Sequence, residues 1–193
     1  MFDSLIRIDQ SIFLTLNGLH STFFDQFFWY ATKPIIWLPL YLLILALLIR
    51  EFKWKTITII IALTFMITAS DQLANVSKYG TQRLRPSHNP GIEQVVHSVN
   101  GYKGGQYGFY SAHASTNFAI AIFLIFLFKR RYRWLIPVLL IWASIMAYSR
   151  IYLGVHYPGD ILAGILVGVI LGILFEWLTR HAIKGQANCE QCC

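Results

Sequence analysis

The run PIIWLPLYLLILALLI, residues 34–49, carries no charge over 16 positions. A transmembrane helix needs roughly 20 predominantly apolar residues, and a run of this length taken alone also suits a buried core helix. The rest of the chain decides between them. Residues 56–70, 134–149 and 161–175 are charge-free runs of nearly the same length, and 104–128 has no formal charge and contains His113. With 56% hydrophobic and 13% charged residues in a chain of 193, no soluble shell is available to bury five such segments. This argues against an ordinary soluble enzyme and against a disordered basic protein.

The pattern predicts an all-α integral membrane bundle of five transmembrane helices, at about 31–50, 55–76, 111–129, 133–150 and 159–179. Phe27, Phe28, Trp29 and Tyr30 are expected to extend the first of these as interfacial rings. In residues 1–24, Leu5, Ile8, Ile12, Phe13 and Leu16 form a helical apolar stripe among polar positions, which predicts an amphipathic interfacial helix. The start of the chain lacks a basic region followed by a compact apolar core, so no signal peptide is expected. Residues 1–193 read as a single membrane-embedded domain, with 86–110 as an extracytoplasmic loop and 181–193 as a cytoplasmic tail.

The net charge of +7 raises the possibility of a nucleic-acid partner, but the charges lie between the apolar runs and form no single patch. Five spans place Arg50, Lys53, Lys55, Lys129, Arg130, Arg131, Arg133, Arg180 and Lys184 on one side. That side, with the C-terminus, is expected to be cytoplasmic. Arg7, Lys33, Lys78, Arg83, Arg85, Lys103 and Arg150 fall on the other. Cys189, Cys192 and Cys193 cluster at the C-terminus and are read as part of a flexible tail; a metal site or lipidation there stays open.

Three polar clusters fall on the outer side. Lys78 and Arg85 are seven residues apart and, on a helix ended by Pro86, share a face that would receive an anion; snorkelling cations are the alternative. Ser111 is a candidate N-cap, where free backbone N–H groups favour phosphate, and His113 in the first turn can pass a proton to a leaving group. A purely structural cap is the alternative. In the third cluster Arg150 is a further cation. His156 and Asp160 stand four residues apart, so one helical turn would bring carboxylate to imidazole and strengthen the histidine as nucleophile or base; a structural hydrogen bond is the alternative. No set of carboxylates or His/Cys spacing calls for a metal, and the three cations can stabilise phosphoryl charge in its place. Asp71, seven residues before Lys78, is a candidate support for the cations. Arg83, His88, His97 and Lys103 are candidate headgroup contacts in and beside the long loop.

K-x6-R-P (Lys78, Arg85, Pro86), S-x-H (Ser111, His113) and S-R-x5-H-x3-D (Ser149, Arg150, His156, Asp160), in that order and on one face, resemble the type-2 phosphatidic acid phosphatase superfamily over roughly residues 22–179. The resemblance implies that His156 is the nucleophile forming a phosphohistidine, Asp160 its orienting partner and His113 the general acid. It implies that Lys78, Arg85, Ser111 and Arg150 bind phosphate and that no metal or other cofactor is needed. The family's second motif usually reads Pro-Ser-Gly-His; here Tyr110 and Ala112 replace the proline and glycine, and a methyl group at Ala112 bears on how closely the backbone approaches phosphate. The expected activity is hydrolysis of a lipid phosphate or diphosphate in a bacterial inner membrane, at its outer face. Undecaprenyl diphosphate is the first expectation, with lipid A and phosphatidylglycerol phosphate as alternatives. A non-catalytic lipid-phosphate binder or transporter is the reading from a different class. The partners expected are a membrane lipid phosphate and the bilayer, with no nucleic acid; the sequence leaves the oligomeric state open.

Overall fold

The computed structural model describes residues 2–128 and 131–190. Its helices are α1 Phe2–Gly18, α2 Thr22–Ala31, α3 Leu38–Phe52, α4 Thr56–Thr81, α5 Ala112–Phe128, α6 Leu135–Tyr152 and α7 Pro158–Glu190. Among the described residues the β structure is one isolated antiparallel bridge between Leu84 and Tyr107. Three stretches are long and apolar enough to cross a membrane: 34–81, which holds both α3 and α4, then 135–152 and 158–185. α5 is equally apolar but shorter, at 17 residues.

α5 is apolar on every side because it is the centre of the bundle, with Ala119, Phe123 and Leu124 almost inaccessible. It packs on α4, α6 and, most extensively, α7. Gly164, Gly168 and Gly172 recur once per turn on α7. A Cβ at Gly172 would sit 2.7 Å from the Ala119 carbonyl oxygen, and one at Gly164 would sit 2.6 Å from that of Ser111. The missing side chains let the two backbones nearly touch. This contact brings the start of α7 to the start of α5, where the Ser111 N–H donates to the Asp160 carbonyl at 3.1 Å.

The amino-terminal segment differs from expectation in two ways. Residues 1–24 are not one helix: α1 stops at Gly18, and Ser21 caps a new helix by accepting the Phe24 N–H at 3.4 Å. Residues 27–30 do not prolong the first apolar helix. They belong to α2, and Pro34 opens the short 3₁₀ turn Pro34–Trp37 that separates α2 from α3. Leu5, Ile8 and Ile12 of the apolar stripe are exposed, whereas Phe13 and Asn17 are buried. Asn17 ties α1 in place: its amide donates to the carbonyls of His97, Ile151 and Tyr152, and its carbonyl accepts the His97 N–H at 2.8 Å.

At the far end of the bundle Tyr132 donates to Glu51 at 2.6 Å, Arg131 lies 3.7 Å from the same carboxylate, and Arg180 donates to the Phe126 carbonyl. The basic connections at 50–55 and 131–133 therefore share one end with the exit of α5 and the Arg180 side chain. α7 continues to Glu190 without a break, helped by the Arg180–Glu176 pair one turn apart, so 181–190 is helix where a tail was expected. Lys129, Arg130, Cys192, Cys193 and the Cys189 side chain lie outside the described residues.

Candidate active site

The end of the bundle opposite that basic cluster gathers the polar motifs. Lys78 lies in the last turn of α4, but Arg85 does not continue the same helix face. α4 ends at Thr81, Gln82 turns left-handed with φ 49°, and Arg85 is extended (φ −68°, ψ 157°) before Pro86 opens a 3₁₀ turn. The expected helix through Pro86 is thus corrected: the left-handed cap closes it four residues before Arg85. Lys78 and Arg85 still converge, since both line one cavity of about 290 Å³. The long loop holds Arg85 from the other side. The Arg85 N–H donates to the Gln106 carbonyl and Nε to the Tyr107 carbonyl, both at 3.0 Å, and the Gly108 N–H returns to the Arg83 carbonyl at 2.8 Å. Gly104 has φ +66°, and a Cβ there would collide with the Arg85 guanidinium.

His156 lies in the connection between α6 and α7, and Pro158 begins α7, so His156 and Asp160 are not two residues of one helix. The chain nevertheless brings them together. His156 Nδ1 is 3.4 Å from Asp160 Oδ2, which also accepts the Tyr157 N–H at 3.0 Å. Both residues are buried, His156 at 2% exposure and Asp160 at 0%. Burial pushes the His156 imidazole down to about 4, with the Asp160 hydrogen bond opposing and the Arg85 charge adding to it. The ring is therefore neutral at pH 7. With Nδ1 turned to the carboxylate, that nitrogen carries the proton and Nε2 keeps a free lone pair.

The Ser111 hydroxyl accepts the Ala114 N–H at 3.4 Å, capping α5, and His113 is the second residue of that helix. His113 lines two cavities. One, of about 270 Å³, also holds Trp29, Lys33, Tyr102 and Arg150; the other, of about 360 Å³, runs along Ala112, Ile120, Ile67 and Met146. Arg150 is 4% exposed, and its Nε has no hydrogen-bond partner among the described residues. A buried guanidinium with an unused donor is costly unless an anion completes it. Asp71 reaches the cations through an intermediary: Lys78 Nζ donates to Asn75 Oδ1 at 3.4 Å, and Asn75 Nδ2 donates to Asp71 Oδ2 at 3.2 Å.

Other contacts were not legible from the motifs. Asp160 Oδ1 accepts Arg83 Nη1 at 2.6 Å, Arg83 Nη2 reaches Asp9 Oδ2 at 2.6 Å, and Asp9 Oδ1 accepts the Gly159 N–H at 2.8 Å. The Arg83 guanidinium also covers the Tyr157 ring at 4.5 Å. Arg83 is therefore occupied by two carboxylates, and the expectation that it meets a headgroup is corrected. His97 is likewise engaged with Asp25 at 2.8 Å, and His88 with the Ser87 hydroxyl at 3.2 Å. Neither these two nor Lys103 lines the three cavities just described.

Known proteins share both the sequence and the build of this chain. The chain is 42% identical over 184 residues to the lipid A 4'-phosphatase of Bacteroides thetaiotaomicron, covering 93% of this chain and 80% of that one. It is 30% identical to the undecaprenyl-diphosphatase of Sulfolobus acidocaldarius, covering 83% and 69% respectively. The crystal structure of Aquifex aeolicus LpxE superposes with a TM-score of 0.66 at 25% identity, over 86% of this chain and 93% of that one. Residues 59–184, which contain Lys78, Arg85, Ser111, His113, Arg150, His156 and Asp160, match the PAP2 superfamily. This chain belongs to the PAP2 superfamily and is one of its phosphatases.

Proposed function

We propose that the protein is a metal-independent phosphatase of a lipid A-like glycolipid, acting through a phosphohistidine at the outer face of a bacterial cytoplasmic membrane with its C-terminus inside. The observation that carries the reaction is the buried, neutral His156 held by Asp160 beside a buried Arg150 with an unused donor. Similarity over most of both chains to a lipid A 4'-phosphatase supports the substrate, in preference to the undecaprenyl diphosphate expected from sequence. The loop charges, nine Lys and Arg against seven, support the orientation.

In this reading Lys78, Arg85, Ser111 and Arg150 hold the phosphate, and Asn75 and Asp71 steady Lys78. His156 Nε2 attacks phosphorus as the bond to the sugar oxygen breaks, and His113 gives that oxygen its proton. Water, deprotonated by His113, then attacks the phosphohistidine; the P–N bond breaks, inorganic phosphate leaves, and both histidines return to their starting state. The three cations offset charge on the phosphoryl oxygens in both steps. Residues 86–110 form the loop that holds Arg85. The apolar cavity of about 360 Å³ beside His113 suits acyl chains of the bound lipid.

The test is phosphate release by the purified protein in detergent from lipid A, undecaprenyl diphosphate and phosphatidylglycerol phosphate. The expected result is the highest kcat/KM on lipid A. A tenfold preference for undecaprenyl diphosphate would overturn the substrate, and lipid binding without release from any of the three would favour a binder or transporter.

A further inference from the structure

The cavity that holds His113 and Arg150 shares a wall with another one. Its wall includes Trp29, which also lines a second cavity of about 460 Å³ between α2 and the turn Val99–Gly101. That volume falls within the roughly 300–1,000 Å³ of small-molecule sites. Its lining differs from the apolar cavity on the other side of His113. Thr22, Asp25, Gln26, Ser98 and Asn100 present hydroxyl, carboxylate and amide groups around the aromatic wall of Trp29. Tyr102, which lines the His113 cavity, stands edge-on to Trp29 with ring centroids 6.1 Å apart.

We propose that this second cavity is a carbohydrate subsite, which receives the sugar next to the scissile phosphate and makes the enzyme selective for glycolipid phosphates. The inference rests on the reaction proposed above. An indole face bordered by short hydrogen-bonding side chains meets both demands of a sugar ring, an apolar face and a rim of hydroxyls. A polyprenyl or acyl chain would leave the same polar groups without partners. A second phosphate fits poorly, because Asp25 lies in the wall. Burial pushes the Asp25 carboxyl up, but hydrogen bonds from Tyr152 and His97 outweigh it and hold the group below the usual carboxylate range. An ionised carboxylate there accepts hydroxyl protons and repels anions. Lys33 lines the cavity of His113 and Arg150, and its ammonium lies 4.8 Å from the ring centroid of Tyr30, which lines the second cavity.

The test compares full-length wild type with Trp29→Ala and Gln26→Ala in the same detergent, on lipid A and on dioleoyl phosphatidate, which has a phosphomonoester and no sugar. The readout is the ratio of the two kcat/KM values, so that a general loss of folded enzyme cancels. The ratio is expected to fall about tenfold in Trp29→Ala and about threefold in Gln26→Ala, with the change carried by KM for lipid A. A ratio unchanged in both variants overturns the subsite and leaves the reaction standing. Failure of the wild type to hydrolyse either lipid overturns the reaction and the subsite with it.

Discussion

Arg83 should control turnover without touching substrate. It is the bridge between Asp160 and Asp9, with both ion pairs at 2.6 Å, and its side chain is 25% exposed beside a fully buried Asp160. Arg83→Gln removes the charge and the fork. Asp160 keeps the Tyr157 N–H and His156 but loses its strongest restraint. A charge-assisted hydrogen bond contributes about 1.5–3 kcal/mol. If that restraint is felt in the transition state through the orientation of His156, kcat falls about 10- to 100-fold. KM should stay within about twofold, because Arg83 lines none of the three cavities at the site. Arg83→Lys should recover only part of the loss, since an ammonium cannot span two carboxylates in a planar fork. In the double variant with Asp160→Asn, the Arg83 change should add little to the Asp160 change, because both act through one contact. The assay is phosphate release in detergent with kcat and KM measured separately. A raised KM at unchanged kcat would refute the reasoning and make Arg83 a headgroup ligand; fully multiplicative losses in the double variant would refute the shared path.

Three further outcomes follow from the same geometry. Because His156 is held down to about 4, its neutral, nucleophilic form persists as pH falls below the ordinary histidine range, so kcat/KM corrected for the substrate phosphate's own titration near about 6 should decline only as pH drops through about 4; an enzyme limb near 6.5 left after that correction would contradict this. Gly172→Val forces a side chain against the Ala119 carbonyl and Ile122 and should cost about 1–3 kcal/mol, read as a Tm in detergent lowered by at least about 2 °C; an unchanged Tm would mean that α5 and α7 are not so close. Dialysis against EDTA should leave the rate unchanged, since Lys78, Arg85 and Arg150 supply the positive charge; a loss reversed by a divalent cation would contradict that role.

The helical segments were legible because charge interrupts the apolar runs so regularly, and the motif residues because their spacing is distinctive. Spacing does not encode local backbone geometry. A spacing of seven suggests one helix face for Lys78 and Arg85, yet the left-handed Gln82 ends the helix between them, and it is the loop around Gly104–Gly108 that returns Arg85 to the site. The apolar run beside Trp29 suggests an interfacial anchor, whereas the Ser21 cap and Pro34 give Trp29 a helix of its own, and it lines a cavity with His113 and Arg150. Asp9 left no trace in the sequence: its contact with Gly159 spans 150 positions and exists only because Phe13 and Asn17 seat α1 against the bundle. The link from Asp71 to Lys78 runs through Asn75, a residue that the motif spacing does not single out.

The central claim is that His156 carries the phosphoryl group. The most direct measurement is to mix enzyme with lipid A bearing a ³²P-labelled phosphate, quench in alkaline SDS to preserve a phosphoramidate, and locate the label by peptide mass spectrometry. The account predicts label on His156, absent from His156→Ala together with turnover. Full turnover with no label at His156, or a His156→Ala protein releasing phosphate at the native rate, would contradict it.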